Sequence, residues 1–487
     1  MGKSVAIIGS GIAGIATAIR LAKRGYVISV FEANSYPGGK LSEIKLGEYR
    51  FDAGPSLFTL PKEIEALYEL HGLEAKNYFD YIKLDTTCKY FYPDGTKITA
   101  YANHDDLAQE INEKTGEPKE NIHQALKKSK FLYEHLSPLF MHKSLHKLST
   151  WLQIDAVKAY SKLTKFGFNE SMHQMNSRRF STDKVVQLFN RYATYNGSDP
   201  YQAPSTMNII PHLEFGIGAY FPKKGMHSIT QSLYELAKKV GVKFYFNTPV
   251  TKITTHKGSA KGVTTPFGFH KMDRVVSNMD IVGTYEKLLN GEKKPTKLLN
   301  QPKSSSALIF YWGIKKNFKQ LDLHNILFSD DYKTEFNHIF KGASIYHDPT
   351  VYVNITSTKK PDDAPEGCQN WFTMINVPND QGQDWDTLIA EAKLNILSKL
   401  SNQLGENIEP LIEVEEILDP RKIELKTSSA QGALYGNSSN NKFAAFLRHP
   451  NFSSSIKNLY FCGGSVHPGG GIPLCLLSAK IVDENFQ

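Results

Sequence analysis

Apolar residues along this chain follow two periods, and the switches between them mark its elements. Residues 5–8, Val5-Ala6-Ile7-Ile8, are an uninterrupted apolar run, as in a strand covered on both faces. From Ile12 to about Lys23 apolar positions recur at helical spacing, and residues 27–31 are a second strand that stops at Glu32. The alternation returns at residues 229–239, a helix, and 242–246, a strand, with Val275 and Val276 in a further strand end. Near the C-terminus, residues 458–462 read as a buried strand and 474 to about 484 as a helix. Between these, residues 88–101 predict a hairpin turning at Asp94-Gly95, and 307–314, 350–355 and 371–377 predict strands. Residues 105–200 are mostly helical in pattern. The mixture predicts an α/β chain with α+β insertions, and 487 residues suffice for two lobes.

Glycine joins the first elements. The strand runs into Gly9-Ser10-Gly11-Ile12-Ala13-Gly14, then the helix, the second strand and the acid Glu32. That order is a Rossmann-like dinucleotide fingerprint. Gly9 permits the turn, Gly11 lets backbone approach a pyrophosphate, and Gly14 lets helix and strand pack closely. The N–H groups of Ile12 and Ala13 open the helix toward the phosphates. Glu32 is expected on the adenosine ribose. A secretory signal would also be apolar here, but Arg20, Lys23 and Arg24 come where its core should end, and no cleavage site follows.

Two more turns follow: Pro37-Gly38-Gly39-Lys40, with Lys40 expected on phosphate, and Phe51-Asp52-Ala53-Gly54-Pro55-Ser56. A nicotinamide site needs neither. A flavin nucleotide does, because the chain must pass its diphosphate, ribitol and ring. At the other end, Gly463-Gly464-Ser465 precedes His467-Pro468-Gly469-Gly470-Gly471-Ile472-Pro473, and a helix starts there. Pro suits the first turn of a helix. The positive end of that helix would face the ring and stabilise negative charge at its pyrimidine side.

These segments, with residues 220–226 and 247–250, resemble bacterial carotenoid desaturases of the phytoene-desaturase type, within the amine-oxidase-like flavoproteins. The resemblance covers essentially the whole chain, with Lys224 where the family usually has glycine. It implies noncovalent FAD, with Val250 against adenine through its backbone and Asn278 returning to the nucleotide. It implies an FAD-binding domain from residues 1–75, 223–289 and 456–487. A mixed-sheet substrate domain with a helical cap would take residues 76–222 and 290–455. Residues 324–328 and 432–436 resemble the branch that acts at C3–C4 of 1-hydroxylated carotenoids. Other enzymes of the fold desaturate phytoene or isomerise carotenoids, and a prenyl-lipid-binding chaperone of the same fold is the alternative from another class.

Charge and composition narrow the partners. The formal charge is +8, yet no nucleic-acid motif occurs, so an anionic lipid surface suits a hydrophobic substrate better. Residues 131–168 mix Phe131, Leu136, Phe140, Trp151 and Leu152 with Lys143, Lys147 and Lys158, which predicts either a membrane-dipping surface or a packed cap. No apolar run is long enough to span a bilayer. A peripheral position on the inner face of the cell membrane, in the cytoplasm, is expected. Cys88, Cys368, Cys462 and Cys475 match no metal pattern, and no metal is expected. Desaturation needs a hydride acceptor more than any side chain. The candidate polar groups are Arg191, Glu214 and His467, with His212 and His227. Glu214 is either a proton acceptor or the partner of Arg191. Oxygen or a quinone would take the electrons.

Overall fold

The computed structural model describes residues 2–162, 165–444 and 446–486. β1 (Ser4–Ile8) and β2 (Val27–Phe31) lie in a five-stranded parallel sheet. Its order is Leu459–Phe461, Arg274–Ser277, β1, β2, Lys243–Tyr245. Both faces of the central strands are covered, which is why residues 5–8 read as a continuous apolar run. On one face α1 (Ile12–Lys23) and the helices His227–Lys239 and Ile472–Asn485 pack Ile15, Ile19, Leu233 and Leu476 against Ile7 and Val30. On the other, Ala6, Ile8 and Val275 meet Ile253, Val263 and Leu288.

The second sheet has seven strands. In order they are Ile412–Leu418, Ser306–Ile314, Gln369–Val377, Val351–Asn354, His324–Leu327, Thr86–Phe91 and Lys97–Tyr101. Neighbours are antiparallel except His324–Leu327, which runs parallel to Thr86–Phe91. The period of two sorts its faces. Leu308, Phe310, Trp312, Trp371 and Ile375 pack against Ile396 and Leu400 of the helix Trp385–Leu404. Ala307, Ile309, Ile326, Tyr352, Phe372 and Met374 face a cavity. The hairpin over residues 88–101 closes where Asp94-Gly95 places it, with Gly95 at φ 86° and Tyr92 N–H on Thr96 O at 2.9 Å.

The stretch 131–168 divides. The helix Lys119–Phe140 buries Leu132, Leu136 and Leu139 with Leu145 and Phe166, so much of the apolar stripe is core. Two short helices, Leu148–Trp151 and Ile154–Tyr160, leave Leu148 and Leu152 each 79% exposed. The change of chain direction after Met141 turns one apolar pattern into an inward and an outward set.

Candidate functional site

One cavity of about 1060 Å³ runs from the glycine turn after β1 to the open face of the seven-stranded sheet. Gly9, Gly11, Ile12 and Ala13 line it. Gly14 does not; it is the packing glycine, since a Cβ there would lie 2.3 Å from Gly9 O. α1 begins at Gly11 with no side-chain cap and no acid in its first turn. The helix Ile472–Asn485 begins at Gly471 in the same way, with Pro473 in its first turn. Gly464, Gly471, Ile472 and Pro473 line the cavity. Two uncapped helix N-termini therefore open on one space, each with unpaired N–H groups and a partial positive charge. The Gly38-Gly39 turn lies against the first glycine loop through Gly38 N–H to Ser10 O at 2.9 Å. Gly54 passes so close to Lys40 that a Cβ would stand 1.8 Å from the Lys40 carbonyl oxygen. Pro55, Ser56, Val250 and Asn278 complete this wall. A glycine cradle with two helix N-termini fits the pyrophosphate and the electron-rich ring edge of FAD.

Three polar side chains of this wall have protein partners. Glu32 accepts from Ser10 N–H at 2.7 Å and Ser10 Oγ at 2.8 Å, and from Asn34 N–H at 2.9 Å and Asn34 Nδ2 at 3.0 Å. These bonds fix the carboxylate at the end of β2, on the wall of the cavity. Lys40 Nζ, expected on phosphate, donates to Leu434 O at 2.8 Å and Ala433 O at 3.2 Å. Burial lowers its pKa, opposed by Asp280 and Cys475. It ties the Gly38-Gly39 turn to the 432–436 loop. Ser465 Oγ accepts from Ile281 N–H at 2.9 Å, fixing the segment that follows Asn278.

Of the candidate catalytic residues only Arg191 lines the cavity. Its Nε donates to Tyr90 Oη at 2.7 Å, Nη1 to Tyr195 Oη at 3.0 Å, and Nη2 pairs with Glu214 at 3.3 Å. Burial opposes its charge, but this ring of tyrosines and Glu214 overcomes burial and raises its pKa. Glu214 also accepts from Tyr192 Oη at 3.1 Å and Tyr195 Oη at 2.6 Å. Of the two readings of Glu214, this geometry matches the partner of Arg191, and the residue does not line the cavity. His467 also lies off the wall, buried, and its Nε2 bonds the Lys143 backbone carbonyl oxygen at 2.8 Å. Burial pushes its pKa down to about 3, so the ring is neutral. His212 and His227 do not line the cavity either. Burial pushes Cys88 and Cys462 up to about 12, which leaves both as inert thiols. No metal-ligating cluster occurs among the described residues.

Two features of the wall escaped sequence reasoning. Arg448 is buried there, its pKa lowered to about 10 by burial, and holds Tyr435 O at 3.2 Å and Asn196 Oδ1 at 3.2 Å. Nothing in Leu447-Arg448-His449 marks it. Ser56 Oγ, Tyr352 Oη and His324 Nδ1 form a chain with steps of 2.8 and 2.7 Å. The resemblance covers residues 324–328, but no local pattern marks Tyr352.

The chain is 56% identical over 482 residues to a 1-hydroxycarotenoid 3,4-desaturase from a Flavobacterium species, covering 99% of this chain and 98% of that one. It is 30% identical over 511 residues to a phytoene desaturase from Fusarium fujikuroi, covering 99% and 89%. Among solved structures, wild-type putrescine oxidase bound to putrescine matches with a TM-score of 0.63 at 14% identity, covering 100% of this chain and 99% of that one, a likeness of fold alone. The family model of flavin-containing amine oxidoreductases matches residues 12–482, and the chain belongs to that family.

Proposed function

We propose that this chain is an FAD-dependent desaturase that removes two hydrogens from the C3–C4 bond of a 1-hydroxylated carotenoid. The observation that carries this is the continuity of one cavity: its glycine-lined end and its apolar sheet face are one space. A flat cofactor ring and a long polyene can meet there with no water between them. The relative named for 1-hydroxycarotenoid 3,4-desaturation supports the choice of bond and of substrate.

A bound flavin supplies the acceptor for a hydride from a C–H bond too weakly acidic for side-chain chemistry. The protein's own residues align and dry the reactants. Ile309, Phe372 and Met374 give the polyene an apolar wall from which water is excluded. The accompanying proton is not assigned to Glu214, whose oxygens serve Arg191, Tyr192 and Tyr195.

The substrate enters from a membrane surface. Leu148, Leu152 and Ile154 are 79%, 79% and 69% exposed. Beside them Phe446 stacks on Trp151 at 5.7 Å and meets Phe140 edge-on at 5.5 Å. Phe140, Phe446 and Lys442 also line the cavity, so the exposed apolar rim is continuous with it. Lys143, Lys147 and Lys158 flank the rim in sequence and suit anionic headgroups. No helix among the described residues is long and apolar enough to cross a membrane, which fits peripheral docking.

The test is a paired assay of the purified protein with hydroxylated and unhydroxylated carotenes of equal length. Flavin absorbance and loss of two hydrogens from the hydroxylated substrate alone are expected. Unchanged product mass would make the enzyme an isomerase. Multi-step conversion of phytoene would make it a phytoene desaturase, and a colourless protein that only binds the lipid would make it a carrier.

A further inference from the structure

His324 stands on the cavity face of the seven-stranded sheet. Along His324–Leu327 the period of two turns His324 and Ile326 to the cavity, while Leu327 joins the core beneath. The side chain is buried, and its Nε2 has no protein partner. A buried polar atom without a partner is costly, so it calls for a ligand.

The partners of the other ring nitrogen decide what Nε2 offers. Nδ1 lies 2.7 Å from Tyr352 Oη and 3.2 Å from Asn354 Nδ2. The Asn354 amide is oriented by Nδ2 donating to Leu323 O at 2.9 Å, so Nδ2 reaches His324 as a donor. With an amide donor facing Nδ1, we assign the tautomer in which Nδ1 accepts and carries no proton. Burial keeps the ring neutral, its pKa pushed down to about 3. A neutral imidazole with a bare Nδ1 has its proton on Nε2. Tyr352 can donate to Nδ1 and accept from Ser56 Oγ at 2.8 Å, so the chain of bonds runs consistently from the 54–56 turn to His324. That turn lines the same cavity as the glycine loop after β1.

We propose that His324 is the specificity-determining residue for the oxygenated end of the substrate, with Nε2–H donating to the tertiary hydroxyl oxygen. The assignment rests on the desaturase reading given above. In a 1-hydroxylated carotenoid the oxygen is only a few bonds from C3. The group that holds it must therefore sit beside the reacting bond, and the Ser56–Tyr352–His324 chain ties His324 to the wall of the flavin end. An unhydroxylated end would leave Nε2–H buried and unpaired, so it would be rejected without any steric clash.

Three carotenoids of equal length, 1-hydroxylated, 1-methoxylated and unsubstituted, are assayed with the wild type, His324→Leu and His324→Gln, with flavin absorbance recorded for each. The wild type should favour the hydroxylated over the unsubstituted compound by about 10- to 100-fold in kcat/KM. His324→Leu should bring that ratio close to one, chiefly through KM for the hydroxylated compound, with flavin content unchanged. His324→Gln, which keeps a donor, should restore part of the ratio. The methoxylated compound keeps the acceptor oxygen and should be preferred by the wild type over the unsubstituted one. A folded His324→Leu protein that still discriminates would overturn the assignment. So would a wild type that treats the methoxylated compound like the unsubstituted one, a result that needs no variant to fold. A wild type that turns over hydroxylated and unsubstituted compounds equally would instead reject the substrate reading on which the assignment rests.

Discussion

Glu214→Gln separates a structural carboxylate from a catalytic one. The substitution keeps shape and removes charge. Glu214 pairs with Arg191 at 3.3 Å, with the side chains 2% and 6% exposed. Charges about 4 Å apart at an effective dielectric of about 20 attract by about 4 kcal/mol. Breaking a buried pair from one side costs about 3–5 kcal/mol, because the remaining charge stays buried. Gln keeps one oxygen for Tyr192 or Tyr195, a bond worth about 1 kcal/mol. The net expectation is therefore a loss of about 2–4 kcal/mol. Urea and thermal unfolding of the flavin-loaded protein read this directly. Arg191→Met should cost a comparable amount. The double variant should lose less than the two singles together, by about 2 kcal/mol or more, since neither charge is then stranded. Turnover by the folded Glu214→Gln protein should be largely retained. Unfolding of Glu214→Gln at the wild-type urea concentration together with a turnover loss of about 100-fold or more would instead mark Glu214 as a general base.

Two further outcomes are expected. Sedimentation with liposomes should show binding that strengthens with anionic lipid and weakens with salt, and Leu148→Glu/Leu152→Glu should abolish it without changing flavin content; equal binding by that variant would place the membrane surface elsewhere. Burial also pushes His324, His449 and His467 down to about 3, about 4 and about 3. Each binds a proton near about 6.5 when unfolded, so its contribution to stability is complete above that pH and falls as pH drops from about 6.5 toward about 3. His467→Gln, which cannot charge, should flatten the loss of urea stability over that window, and an unchanged pH profile would show that His467 does not titrate on unfolding.

The strand, glycine turn and helix of the cofactor end are legible in the chain itself. The run 5–8, the glycines to Gly14 and the acid at Glu32 are close in the chain, and their meaning depends on local sterics and periodicity. So do the Asp94-Gly95 hairpin and the helix opening at Gly471 and Pro473. The partners of the polar side chains were decided only by tertiary structure. Lys40 meets carbonyls 393 and 394 positions away, and Ser56 meets Tyr352 across 296. Tyr352 and His324 lie on adjacent antiparallel strands, where the register pairs Ile326 with Tyr352 and His324 with Asn354. Glu214 is only 23 positions from Arg191, yet its role depended on whether its carboxylate faced the cavity or the guanidinium. A buried polar atom takes whichever partner the packing of distant segments brings within about 3 Å, and no local pattern encodes that distance.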